Sequence, residues 1–217
     1  MNIIYIHGLD SDANSTKGRL LENYCRQHHS DIKVLRPDLN QKPEQVFEHI
    51  LSLIDRLNYE DIKGEQSNTS RTVLVGSSLG GYFSSIVSNR TGCPVLLLNP
   101  STQPHITLQR FTKDAGLHNG STDKSAASQI IHSTAGGWDI TNADLTWFAE
   151  HPLSAIHYPG KVAVLIKEGD ELLDAELSKG FYQSQNAKVV VQAGGDHRFS
   201  DFEDQLPMVI KMLEQLL

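Results

Sequence analysis

The sequence predicts an α/β fold, a doubly wound three-layer sandwich on a six-stranded, mainly parallel sheet. Three observations lead there. Short apolar, β-branched runs alternate with helical 3.6-residue patterns along the whole chain, as a sheet covered by helices on both faces requires. One of these runs, Val73-Leu74-Val75, stops at Gly76-Ser77-Ser78-Leu79-Gly80, and a helical pattern (Phe83, Ile86, Val87) follows at once. The length, 217 residues, suits one α/β domain with a full core.

Each element has its own signature. Residues 3–6 read as strand one, and Leu20, Leu21 and Tyr24 mark a helix after it. Strand two, 32–35, ends at Arg36-Pro37-Asp38. Pro43 then sits at a helix start, where its missing N–H costs nothing, and Val46, Phe47, Ile50, Leu51, Ile54 and Leu57 supply the helical period. Residues 63–71 are polar and predict an exposed loop. Strand three is 73–75, and strand four, 94–98, ends at Asn99-Pro100. Strand five is 162–166, followed by a helix over 172–183; strand six is 189–191. A helix over 202–217 closes the chain, with Ser200 or Asp201 as its N-cap. Right-handed crossovers predict the strand order 2-1-3-4-5-6.

Residues 101–158 break this rhythm. The segment is much longer than a usual connection, polar in its first half, and shows no clear strand. It reads as a lid-like insert in a single domain spanning 1–217. Ile106, Leu108, Phe111, Ile130, Ile131, Trp138, Leu145, Trp147 and Phe148 are its apolar material, expected mostly to pack it onto the domain.

Composition narrows the function. A net charge of −7 gives no electrostatic footprint for nucleic acid or an anionic membrane. Cys25 and Cys93 are too few for a disulfide framework or a zinc site and are expected to be buried thiols. The chain opens directly on Asn2-Ile3-Ile4-Tyr5-Ile6, so no signal peptide is expected, and no apolar run is long enough to cross a bilayer. A soluble cytoplasmic protein needing no cofactor is the expectation.

The chemistry gathers at the carboxyl edge of the sheet. The Gly76–Gly80 element is laid out as a nucleophile elbow, in which a strand turns sharply into a helix and leaves Ser78 at the apex. Gly76 and Gly80 lack a Cβ, so the two arms can pack around a strained serine. A serine hydroxyl needs a neighbouring base. Gly194-Gly195-Asp196-His197 follows the last strand at the position a base would occupy, which singles out His197 among the ten histidines. His28, His29, His49, His105 and His118 read as surface residues, and none forms a metal-ligand spacing. The acid that would orient the imidazole is Asp170, beyond strand five. Asp174 is its rival, but falls where a first helical turn would use it; Glu168 and Glu171 are weaker candidates. A tetrahedral oxyanion also needs fixed donors: the backbone N–H of Leu79, and one from the loop after strand one, that of Leu9. Gly8 lets that loop approach closely, and His7 is expected to shape it through its ring.

With these residues in view, the chain resembles the α/β-hydrolase superfamily along essentially its whole length. It is most similar to the small bacterial YqiA-like esterases. The resemblance rests on His7-Gly8-Leu9-Asp10-Ser11, Gly76-Ser77-Ser78-Leu79-Gly80-Gly81-Tyr82, Asn99-Pro100, Gly169-Asp170-Glu171 and Gly194-Gly195-Asp196-His197. It implies a minimal hydrolase without the first two strands of larger relatives, acting on short acyl esters or thioesters. The insert at 101–158 departs most from that pattern. The expected activity is therefore a serine carboxylic-ester hydrolase working through an acyl-enzyme on a small-molecule substrate. An acyl-CoA thioesterase with the same residues is the near alternative, although only scattered Arg110, Lys113 and Lys124 would meet its phosphates. A non-catalytic ligand-binding member of the fold is the alternative of a different class.

Overall fold

Strand β1 (Asn2–Ile6) is buried along its entire length, and so are β3 (Thr72–Ser77), β4 (Val95–Leu98) and β7 (Val162–Lys167). Apolar side chains on both faces explain why these segments read as continuous runs instead of alternating ones. The computed structural model describes residues 1–63, 72–114 and 127–217. With β2 (Lys33–Leu35) and β8 (Lys188–Gln192), these strands form a sheet in the order β2-β1-β3-β4-β7-β8, every pairing parallel. This is the predicted order.

Alternate residues feed two cores. Ile4, Ile6, Leu74, Leu97 and Val164 point to a face covered by α2 (Pro43–Lys63), α3 (Leu79–Thr91) and α5 (Ala175–Ser184). A short helix of the insert, α4 (Asn142–Glu150), joins them there. Ile3, Tyr5, Val75, Leu96 and Leu165 point the other way, against α1 (Thr16–His28) and α6 (Phe202–Glu214). Burying each large aliphatic contributes about 1.5–3 kcal/mol, so the two cores supply most of the driving force for this layering.

The register decides where the chemistry lies. Ile6 pairs with Gly76, Ser77 with Leu98, and Leu98 with Leu165, so β1, β3, β4 and β7 end along one edge. Strands β2 and β3 lie on opposite sides of β1, opening the crevice that topology predicts at this edge.

Several expectations change. Within the insert, Ile130–Ser133 and Asp139–Thr141 pair as an antiparallel hairpin, β5 and β6, where no strand was expected. Ile131, Trp138, Ile140 and Phe148 are buried and fasten the insert to the domain, whereas Ile106 and Ile130 lie half exposed. Helix α5 begins at Ala175, not 172, because Leu172 and Leu173 turn over the Asp170 carboxylate. Asp201 occupies the N-cap position of α6 without capping it; its carboxylate goes instead to Lys167 (2.5 Å) and Gln205 (2.8 Å). Burial alone would raise the Asp201 carboxyl, but these two donors hold it below its ordinary value. His105 is half buried. Cys25 and Cys93 are buried, and loss of solvent pushes their thiols up to about 11 and about 12. Of the loop expected at 63–71, Lys63 ends α2 and residues 64–71 lie outside the described residues, as do His118 and Lys124 of the insert.

Candidate active site

The elbow begins where β3 ends. Ser78 has φ 55° and ψ −120°, a backbone conformation that costs an L-residue about 1–3 kcal/mol and needs external support. Its own N–H donates to the Leu98 carbonyl at 3.1 Å, and its carbonyl accepts from Gly81 (2.8 Å) and Ser101 (3.0 Å). The two elbow glycines are required by close approach. A Cβ on Gly80 would run into the Ile6 and His7 carbonyls, and one on Gly76 into Gly80 and the Ser84 hydroxyl.

The loop after β8 returns over the sheet edge through Gly194 and Gly195, both at positive φ. It sets His197 Nε2 at 2.9 Å from Ser78 Oγ. On the far side of the ring, Nδ1 lies 2.8 and 2.9 Å from the two Asp170 oxygens. Asp170 Oδ1 also accepts the N–H groups of Leu172 and Leu173 at 2.9 and 2.8 Å. The Asp170 side chain is only 2% exposed. A buried carboxylate is an acceptor, so Nδ1 carries the ring proton and the Nε2 lone pair faces the serine hydroxyl. Asp174 is elsewhere: it N-caps α5, accepting from Leu177 N–H at 3.0 Å. Glu171 does not reach the ring, but its Oε2 accepts the His197 backbone N–H at 3.0 Å.

On the other side of Ser78 runs the loop after β1. Gly8 is so close that a Cβ there would stand 3.0 Å from Ser78 Cβ. His7 is buried, with Nδ1 2.9 Å from the Gly8 carbonyl and Nε2 accepting Leu39 N–H at 3.0 Å. That pairing places its proton on Nδ1 and makes His7 a brace for the loop. Among the described residues, neither Leu9 N–H nor Leu79 N–H has a hydrogen-bond partner, and both residues line the cavity that holds Ser78 and His197.

That cavity has a volume of about 640 Å³. Leu79, Leu108 and Leu172 are among its apolar lining residues, and Asp12, Asn14 and Lys17 among its polar ones. Burial lowers the Lys17 ammonium to about 8, against the pull of Asp196 and Asp170 in the opposite direction. No group of three or more metal-ligating side chains occurs among the described residues, and no helix there is long and apolar enough to cross a membrane.

Sequence reasoning missed three residues of this neighbourhood. Asn99, read as a strand end and as part of the resemblance but given no role, donates from Nδ2 to the Asp196 and His197 carbonyls (3.2 and 3.4 Å) and accepts Lys167 N–H at 2.8 Å. Lys167 lies beneath Gly195, its ammonium 5.2 Å from the Phe199 ring centre. Ser101 lines the cavity with a buried hydroxyl that has no hydrogen-bond partner among the described residues. The positive φ of Asn99, 41°, is a local clue that only coordinates reveal. The other two carry no signal in the sequence.

A parallel sheet in this order, with an elbow after β3 and a histidine loop after β8, is the α/β-hydrolase fold. Solved structures agree on the architecture. Est1E from Butyrivibrio proteoclasticus matches with a TM-score of 0.72 at 16% identity, over 99% of this chain and 88% of that one. Mouse alpha/beta hydrolase domain-containing protein 10 matches at 0.65 and 18%, over 100% and 90%. The esterase domain of a Rhodothermus marinus protein matches at 0.63 and 17%, over 98% and 85%. Within that class the chain belongs to UPF0227, an uncharacterised protein family, which it matches over residues 2–214. A UPF0227 protein of Vibrio cholerae is 26% identical over 107 residues, 49% of this chain and 55% of the relative. One from Vibrio vulnificus is 25% identical over 108 residues, 47% and 52%. The matched part thus spans about half the length of these relatives.

Proposed function

We propose that the protein is a serine hydrolase cleaving carboxylic esters of small or short-chain acyl groups through an acyl-enzyme. The observation that carries this reading is the continuous line from Asp170 through His197 to Ser78 Oγ, with both contacts within 2.9 Å. As Ser78 Oγ bonds the ester carbonyl carbon, its proton passes to His197 Nε2, and Asp170 stabilises the imidazolium. The carbonyl oxygen, now an anion, accepts from Leu79 N–H and Leu9 N–H, each worth about 3–4 kcal/mol of barrier. Collapse breaks the ester C–O bond while Nε2 returns the proton to the departing alcohol. Water, deprotonated in turn by Nε2, then releases the acid and restores Ser78.

The cavity favours small, partly polar esters over long acyl chains, since its lining mixes charged and hydroxyl groups with its leucines. The test is labelling by a fluorophosphonate together with hydrolysis of p-nitrophenyl acetate. The wild type is expected to be labelled at Ser78 and to turn over, and Ser78→Ala to lose both. A folded wild type that stays unlabelled, with turnover no higher than that of Ser78→Ala, would sink the reading. Acetyl and butyryl esters beside a matching thioester would then identify the preferred acyl length and leaving group.

A further inference from the structure

The loop that carries Leu9 is held from two directions. The His7 ring braces its start from within the sheet domain, as described above. Its other end is held by the insert. Asp10 Oδ1 accepts from Ala135 N–H and lies 3.2 Å from His132 Nε2, both distances being 3.2 Å, and both partners belong to the β5–β6 hairpin. The next residue is tied as well: Asn40 Nδ2 donates to the Ser11 carbonyl at 2.9 Å, and Asn40 Oδ1 accepts from Thr134 Oγ1 at 3.2 Å. Asp10 adopts φ 54°, a left-handed conformation that a non-glycine residue keeps only when its surroundings hold it.

The hairpin is itself rigid where it grips. The His132 ring stacks on Phe111 with centres 3.9 Å apart and planes 12° apart. Thr134 accepts Trp138 N–H on its hydroxyl at 2.9 Å and donates its own N–H to the Trp138 carbonyl at 2.9 Å, closing the turn. Trp138 is buried, and it shares a small hollow of about 20 Å³ with Leu9, Leu79 and Phe83. A lid that only covered a substrate would need none of these bonds behind the Leu9 loop.

We infer that the hairpin of the insert is a buttress for the oxyanion loop, with Asp10 and His132 as positioning residues that hold Leu9 N–H toward the carbonyl oxygen. The inference rests on the ester-hydrolase reading above. A donor that has shifted by a fraction of an ångström loses its advantage in the transition state and not in substrate binding. Releasing the latch therefore lowers kcat and spares KM.

The experiment compares Asp10→Ala, Asp10→Asn and His132→Ala with the wild type on p-nitrophenyl acetate, alongside thermal melting and the rate of fluorophosphonate labelling at Ser78. Asp10→Ala and His132→Ala are expected to lose about tenfold or more in kcat and in labelling rate, with KM within about twofold. Asp10→Asn keeps an acceptor oxygen for Ala135 N–H and is expected to stay within about threefold of wild type. Should Asp10→Ala fail to fold, His132→Ala, whose side chain is about a quarter exposed, is read by itself. Wild-type kcat in the folded variants, a loss confined to KM, or an equal loss in Asp10→Asn would each overturn the buttress while leaving the ester reading intact. A wild type that neither labels nor turns over removes both.

Discussion

Two aspartates four positions apart show how one residue type serves two ends. Asp170 is enclosed and gathers two backbone N–H groups and the His197 ring, while Asp174 accepts a single N–H at the start of α5. In the proposed mechanism only the first has an electrostatic task. Asp170→Asn would present an amide to Nδ1, favour the wrong tautomer and cost on the order of 10⁴ in kcat. Asp174→Ala should cost about 1 kcal/mol of stability, the ordinary loss of an N-cap, with kcat unchanged. Steady-state kinetics and urea unfolding of the two variants check this. A large kinetic loss in Asp174→Ala alone would exchange their roles.

Among the elements, the loop carrying His197 is the one most dependent on its neighbours. It has no regular hydrogen-bond ladder of its own and is held by Asn99 at the end of β4, by Glu171, and from beneath by Lys167. Asn99 joins three segments at once, since its Oδ1 also satisfies the buried N–H of Lys167 at the end of β7. Asn99→Ala leaves that N–H without a partner, a cost of about 1–3 kcal/mol, and frees the loop. Unfolding by urea should report that loss, and kcat should fall roughly tenfold, because the imidazole then spends less time aligned with Ser78. Unchanged kcat in a destabilised protein would show that Glu171 and Lys167 suffice to hold the loop.

At the scale of the molecule, α1 meets the histidine loop through one half-buried cation. Lys17 donates to the Arg198 carbonyl at 2.8 Å and lies 5.9 Å from the Phe199 ring centre. Burial is what lowers its pKa to about 8, and the lowering makes it a cost to the fold at neutral pH. Below pH 8 the lysine is protonated folded and unfolded, so the cost is borne in full. Between about 8 and its ordinary 10.5 the unfolded chain keeps the proton that the folded one has lost, and stability rises with pH through that window. Lys17→Met should therefore be more stable than wild type at pH 7, by on the order of 2 kcal/mol, with the gap closing toward pH 10. Melting of both proteins across pH 7–10 measures it, and a gap that stays constant would assign the stability difference to packing instead.

The four inner strands were legible because both faces of each are buried, which writes an uninterrupted apolar run into Val73-Leu74-Val75 or residues 162–166. The elbow was legible because only glycine fits beside Ser78, and Asp174 because helix starts favour acceptors. The hairpin was not. Each of its strands spans three or four residues and turns one side chain, Ile131 or Ile140, into the core, too few to display a two-residue period. The roles of Asn99, Lys167 and the Asp10–His132 pair were equally hidden, since each acts on residues far away in the chain. Local order along the chain thus determined by itself the layered sheet and which residues reach its carboxyl edge. Only the tertiary structure decided how those residues are held there, because an unpartnered donor or acceptor finds its match across space, at separations no sequence spacing records.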